Sequence, residues 1–201
     1  MERITKEGKD VDLVLQKIME ENNISKEELL YTSTLKKSKL FQGNLYEVSV
    51  YLKTDLNKEV KRILTEIVQN MGLEVSIELS VKDDRPTLKM YSNKDYILIG
   101  KNGATLKAIE VLAKQSLLNE TGLYYKFNVD VADYKEKMAK KLESLARKCA
   151  KDVVKTNIAV SLDNMSSYER RIVHNALADF SGIKTESEGE EPNRHIVIKP
   201  M

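Results

Sequence analysis

Tryptophan is missing from this chain, phenylalanine and proline occur three times each, and there is one cysteine in 201 residues. So few large aromatics argue against a platform that binds bases mainly by stacking. The single cysteine, Cys149, excludes an internal disulfide framework. No apolar run approaches the ~20 residues that span a bilayer, and the opening MERITKEGKD lacks the apolar centre of a signal peptide. A cytoplasmic location is the expectation. A large charge of one sign is also lacking: 33 Lys and Arg face 31 Asp and Glu, for a net charge of +2. The whole-chain balance therefore does not announce a polyanionic partner. At 41% hydrophobic and 32% charged residues, the composition is that of a folded chain.

Catalytic signals are equally sparse. Two histidines, His174 and His195, are too few for an all-histidine metal site. There is no G-x-S-x-G nucleophile turn and no phosphate-binding Walker loop. Cys149 falls on the apolar stripe of a helix, where a thiol is inert. A binding protein without catalytic residues, metal or cofactor is expected.

Hydrophobic periodicity divides the chain into three small α+β modules: 1–53, 54–132 and 133–201. The first opens with a short strand in RITKEG and a helix carrying Val11, Val14, Leu15, Ile18 and Met19 on one side. Ser25 and Glu28 read as a capping box starting a second short helix. TSTLKKSKLFQGN reads as a basic turn, and alternating Tyr46, Val48, Val50 and Leu52 close an ααβ-type module as a strand.

The second module starts with a helix bearing Leu56, Val60, Ile63, Leu64, Ile67, Val68 and Met71. A strand with Val75, Ile77, Leu79 and Val81 follows, then a strand with Leu88 and Met90. A short apolar helix runs into GKNG, and a second helix buries Leu106, Ile109, Ala113 and Leu117. Phe127, Val129 and Val131 form the last strand. The third module begins with a lysine-rich helix whose inner side is read as Met138, Leu142, Leu145, Cys149 and Val153. Residues 135–155 hold eight cations and three carboxylates, a local excess of +5. A strand at Ile158, Val160 and Leu162, a helix capped by Ser166 and Glu169, a loop KTESEGEEPN and a strand with Ile196 and Ile198 complete it.

Within "YILIGKNGATLKAIEVL", residues 96–112, two glycines interrupt helical spacing. Each costs roughly 1 kcal/mol against alanine in a helix interior, so a bare backbone is needed there. Eight glycines in 201 residues make about 0.3 G-x-x-G tetrapeptides expected by chance. The tetrapeptide gains weight from its setting of helix, strand, strand, helix, helix, strand. That order resembles a KH domain of the prokaryotic type (type II), whose G-x-x-G loop clamps single-stranded nucleic acid. The resemblance assigns RNA contact to Ile99, Gly100, Lys101, Asn102, Gly103 and Ala104. Two residues without Cβ allow a sugar-phosphate chain to approach, Lys101 adds a cation, and the helix beginning at Ala104 offers amides and a positive dipole end.

"MSSYERRIVHNALADF" spaces Arg170 and His174 one helical turn apart, and "SEGEEPNRHIVI" follows. Together with the lysine-rich helix, the run resembles an R3H domain, named for that pair. The resemblance places Arg170 and His174 toward nucleic acid or on a shared phosphate, with Arg171 and Arg194 as neighbours. Arginine can meet phosphate through two hydrogen bonds. Glu186, Glu188, Glu190 and Glu191 read as local scaffolding that pairs with the arginines.

A small N-terminal module, a KH unit and an R3H unit in this order resemble the bacterial Jag (SpoIIIJ-associated) family along essentially the whole chain. Departures occur where KKSKLFQGN replaces a K-K-G-x-F-G-like turn, touching Lys36, Lys37 and Phe41, where Ser167 replaces a frequent proline, and where His195 replaces a basic residue. The resemblance implies binding of single-stranded RNA, with single-stranded DNA left open, in post-transcriptional control tied to cell division and envelope growth. It also implies a small KH-only partner and contact with a membrane insertase; a second copy of the chain is a further candidate partner. The alternative is a protein-interaction adaptor of that insertase or of the division machinery, with incidental nucleic-acid binding.

Overall fold

The computed structural model describes residues 1–36 and 45–201. Residues 37–44, with Lys37 and Phe41 of the expected basic turn, lie outside it. The chain forms two compact units, Met1–Ala132 and Asp133–Met201, and its architecture is α+β as expected.

The first unit holds two three-stranded sheets. β1 (Ile4–Gly8), α1 (Val11–Asn22), β2 (Leu29–Lys36) and β3 (Leu45–Leu52) come first, with sheet order β1-β3-β2. The Asp10 carboxylate caps α1 by accepting from the amides of Asp12 and Leu13. Val14, Leu15 and Ile18 then pack on Leu29, Val48 and Val50. Two expectations fail here. The carboxylate of Glu28 does accept from the amide and hydroxyl of Ser25, but the turn it closes is a 3-10 turn, Lys26–Glu28, and not a helix. The next eight residues are the strand β2, paired antiparallel with β3 from Leu29↔Leu52 to Lys36↔Leu45, so the module is βαββ and not ααβ. The three residues that follow Ser25 do not complete an α-turn, whereas Leu29, Tyr31 and Thr32 suit a pleated strand.

The second sheet follows α2 (Lys53–Asn70). It contains β4 (Ser76–Lys82), β5 (Arg85–Tyr91) and β6 (Asn128–Val131) in that order, with β5 and β6 parallel. Parallel neighbours need a crossover, and α3 (Asp95–Ile99), the GKNG turn and α4 (Ala104–Thr121) supply it. The expected element order is the observed one. Leu56, Val60, Leu64 and Val68 of α2 are fully buried, as are Leu88 and Met90 opposite Val129 and Val131. Met71, Leu79 and Val81 are exposed, against expectation. Met71 lies beyond the last turn of α2, and β4 is an edge strand whose outer half overhangs the core. Tyr125 links this sheet's end to α2 through a hydrogen bond to Asn57 Oδ1 at 2.8 Å. Burial, with the Asp84 carboxylate nearby, pushes its phenol up to about 12.

The second unit consists of α5 (Tyr134–Thr156), β7 (Val160–Ser161), α6 (Ser167–Leu177), β8 (Ile183–Glu188) and β9 (His195–Pro200), with sheet order β7-β9-β8. Ser166 and Glu169 form the expected capping box. The inner face of α5 is Leu142, Ala146, Ala150 and Val153. Leu145, expected inside, is exposed, because α5 lies against α6 through its alanines. Cys149 is half-buried, and burial pushes its thiol up, which disfavours the reactive thiolate. Ile158 is exposed outside the two-residue β7.

The largest correction concerns residues 184–193, expected as a loop. Their first half is strand β8, paired with β9. Register sets Lys184 directly opposite Lys199, a destabilising arrangement on its own. Glu186 resolves it by ion-pairing with both ammonium groups, and Glu188 also meets Lys199 at 2.6 Å. Hydrogen bonds from Lys199 and then Lys184 hold the Glu186 carboxyl down at about 2, against an ordinary 4.5. A depressed folded-state value contributes stability at and above the ordinary value and loses it as pH falls toward 2. The gap in urea midpoint between the protein and Glu186→Gln is therefore expected to be open at pH 6 and to close progressively from about pH 4.5 to about pH 2.

Candidate nucleic-acid interface

The GKNG turn departs from right-handed backbone at three of its four residues. Gly100 has φ 70° and ψ −175°, Asn102 has φ 52° and ψ 32°, and Gly103 has φ 77° and ψ 12°. Asparagine is among the few side chains that tolerate such a conformation. The turn is pinned at both ends: the Gly100 amide donates to Tyr96 O at 2.9 Å, and the Ala104 amide donates to Lys101 O. Leu98 is fully buried and anchors α3, while Ile97 and Ile99 are half-buried. Lys101, Asn102 and Ala104 are exposed, and Gly103 is half-buried. Because the residue preceding α4 is a glycine, the first turn of this 18-residue helix receives no side-chain cap. Lys101, exposed, lies three residues before its positive end.

Gly100 has a reason of its own to be glycine. A Cβ built there would lie 2.1 Å from Thr105 Oγ1 and 2.9 Å from Thr105 N. The bare backbone at this position lets the turn close onto α4, a requirement of the fold that holds whether or not a ligand is bound.

In the second unit the sequence pair Arg170 and His174 separates into two environments. The Arg170 side chain is only 11% exposed. Its Nη1 donates to Met165 O at 2.7 Å and pairs with Glu191 Oε1 at 2.9 Å. His174 is exposed, and its Nδ1 lies 2.8 Å from Thr185 Oγ1. Arg170 is thus tied into the fold, while His174 stands in solvent against β8. Arg171 is exposed one residue further along α6. Arg194 is exposed and its Nε donates to Ser187 Oγ at 3.0 Å. His195, where a basic residue was expected, has its Nδ1 3.0 Å from Asn193 O.

Thr185 and Ser187 were missed by sequence reasoning. As part of a loop they have no defined direction; on β8 they share one side, two residues apart. From there Thr185 sets the ring of His174 and Ser187 sets the guanidinium of Arg194. Alternation of Thr and Ser with Lys184, Glu186 and Glu188 was the available signal, hidden by the acidity of the stretch. Glu191 pairs with Arg170 as the scaffolding reading expected, while Glu186 and Glu188 pair with lysines instead. Among the described residues no three His, Cys, Asp or Glu side chains gather where a metal ion could be held. No helix among them is long and apolar enough to cross a membrane.

The R3H domain family model matches residues 140–200. The RNA-binding protein KhpB of Clostridium symbiosum is 30% identical over 98% of this chain and 91% of its own length. The Streptococcus pneumoniae serotype 2 protein of the same name is 30% identical over 73% of this chain and 47% of its own. A solved structure of Aquifex aeolicus Era is similar over 61% of this chain and 41% of that one, at 20% identity, with a TM-score of 0.25, too low to define a common fold. The RNA-binding protein KhpB of Bacillus subtilis (strain 168) is 32% identical over 98% of both chains. With a relation of that extent and an R3H domain at residues 140–200, the chain belongs to the KhpB (Jag) family.

Proposed function

We propose that this protein binds single-stranded RNA without catalysing a reaction on it, through the GKNG turn and the outer side of α6. The observation that carries the reading is similarity over 98% of the chain to a relative named for RNA binding. The geometry supports where contact occurs. Lys101 and Asn102 stand in solvent at an uncapped helix start, a fitting cradle for phosphate, with Ile99, Gly100, Gly103 and Ala104 shaping it. Arg171, His174 and Arg194 form the second contact, oriented in part by Thr185 and Ser187; Arg170 is the positioning residue behind them. Three modules at 1–53, 54–132 and 133–201 carry these roles, the first recruiting protein partners. The family adds finer expectations: a cytoplasmic place, a role in post-transcriptional control linked to cell division and envelope growth, and a KH-only protein, an insertase or a second copy as partner.

The test is fluorescence anisotropy with a labelled mixed-sequence oligoribonucleotide. Lys101→Asp with Asn102→Asp puts two carboxylates at the cradle and is expected to weaken binding about tenfold. Aspartate tolerates the left-handed backbone that Asn102 adopts, so the fold is kept. Affinity equal to that of the unaltered chain would remove the turn from the interface.

A further inference from the structure

The cations of the Arg-His region are largely engaged within the protein, as is Lys140 near the start of α5, but those of α5 from Lys141 onward are not. Arg170 is held by Glu191, Lys184 and Lys199 by Glu186, and Lys140 by Glu136. Lys141, Arg147, Lys148, Lys151 and Lys155 are all exposed, and none has an ion-pair partner among the described residues. Helix geometry gathers them. At about 100° per residue, these five fall on the side opposite Leu142, Ala146, Ala150 and Val153, which face the core. Lys141, Lys148 and Lys155 recur every two turns and span about 21 Å along the axis, with Arg147 and Lys151 alongside. Glu143 and Asp152 fall on the flanks. In a chain of net charge +2, this is a concentrated ridge of uncompensated positive charge.

We propose that the outward face of α5 is a rail for the phosphodiester backbone of single-stranded RNA, extending the contacts at α6. This rests on the RNA-binding reading above. Lys148, Lys151 and Lys155 follow one another at about one turn, roughly 5.4 Å, an interval comparable to the step between neighbouring phosphates, and phosphates engaged by Lys and Arg release counterions. An anionic bilayer fits this face poorly. A helix lying on a membrane turns its apolar stripe outward, whereas here that stripe is in the core. Leu145 and Val154 are exposed on opposite margins and form no continuous apolar face.

The full chain is titrated with the same oligoribonucleotide between about 50 and about 300 mM KCl. The variant Lys141→Gln, Arg147→Gln, Lys148→Gln, Lys151→Gln, Lys155→Gln is expected to bind about tenfold more weakly at 100 mM. Its plot of log affinity against log salt should be shallower by about 2, the loss of three phosphates at about 0.7 each. Glu143→Lys with Asp152→Lys widens the ridge and is expected to bind several-fold more tightly with a steeper slope. The rail is overturned if the five-site variant folds by circular dichroism and keeps the original affinity and slope. Should that variant not fold, it is overturned by a two-lysine variant that leaves both quantities unchanged. Lack of RNA binding by the unaltered chain would overturn the underlying reading together with the rail; binding that survives the five substitutions overturns the rail alone. Sedimentation with phosphatidylglycerol vesicles that the substitutions abolish, with RNA affinity intact, would assign the face to lipid and likewise overturn it.

Discussion

Gly100→Ala is expected to destabilise the Met1–Ala132 unit by about 3 kcal/mol, against about 1 kcal/mol for Gly72→Ala. The two glycines have nearly equal φ, +70° and +73°. A methyl group at Gly72 meets nothing within 4 Å, so its cost is the backbone conformation alone. At Gly100 the φ of 70° combines with a ψ of −175°, a region that is essentially glycine's own. The new Cβ would also stand 2.1 Å from Thr105 Oγ1 and 2.9 Å from both Thr105 Cβ and Thr105 N. Rotating Thr105 relieves the hydroxyl contact but not the other two, which are fixed by the second residue of α4. Urea denaturation of both variants checks the difference. If Gly100→Ala is no less stable than Gly72→Ala, α4 can shift its start at little cost, and the packing reason for this glycine fails. The outcome bears on Gly100 as the residue that lets the turn close, apart from the ligand contact proposed for Lys101 and Asn102.

What the sequence disclosed and what it concealed follow from where apolar burial decides structure. α2 and α4 bury regular stripes, and β5 and β6 bury Leu88, Met90, Val129 and Val131, so their spacing is readable from residue types. β2 and β8 were both missed, and both are edge strands, in the orders β1-β3-β2 and β7-β9-β8. An edge strand is held by backbone pairing to its one neighbour. Its side chains need not carry a hydrophobic period: Leu29 is buried in β2 while Tyr31 and Leu35 are exposed. β8 goes further, with Lys184, Glu186 and Glu188 on one side, a charged edge of the kind that resists pairing with other chains. The misread face of α5 has a different origin. Hydropathy favours Leu145 over Ala146, but two helices in contact select the side chain that lets them approach, and that is alanine.

The same logic applies to the candidate interface. GKNG was legible because its glycines break a helical pattern. The surroundings of Arg170 were not, since they depend on the hairpin that returns Glu191 and Arg194 to the start of α6. Thr185 and Ser187 acquire their direction only once β8 is a strand. Net charge was uninformative for a comparable reason: carboxylates neutralise most cations locally, and although the excess over residues 135–155 could be counted, only the paired structure shows which cations of α5, those from Lys141 onward, are left over.

Arg170→Ala is expected to lower the stability of the Asp133–Met201 unit by about 2 kcal/mol, while Glu191→Gln lowers it by less than about 0.5 kcal/mol. The asymmetry comes from burial. The Arg170 side chain is 11% exposed and that of Glu191 is 64% exposed. Water screens the Glu191 carboxylate, so its ion pair adds little, but the bond from Arg170 Nη1 to Met165 O has no such substitute. Losing the arginine leaves that carbonyl short of a donor and removes the packing of its hydrocarbon stem. Met165 is also tied through its own amide to Arg194 O at 3.1 Å, so the disturbance reaches the backbone that carries Arg194. Arg170→Lys retains the charge but not the planar donor set. If the residue serves by position, lysine recovers only part of the lost stability, and RNA affinity measured well below the melting temperature stays within about threefold of the original. Urea denaturation of the three variants, with anisotropy on each, reads both quantities. An Arg170→Ala chain with an unchanged urea midpoint and abolished RNA binding would show that the guanidinium serves the ligand, and that its contacts with Met165 and Glu191 contribute nothing to the fold.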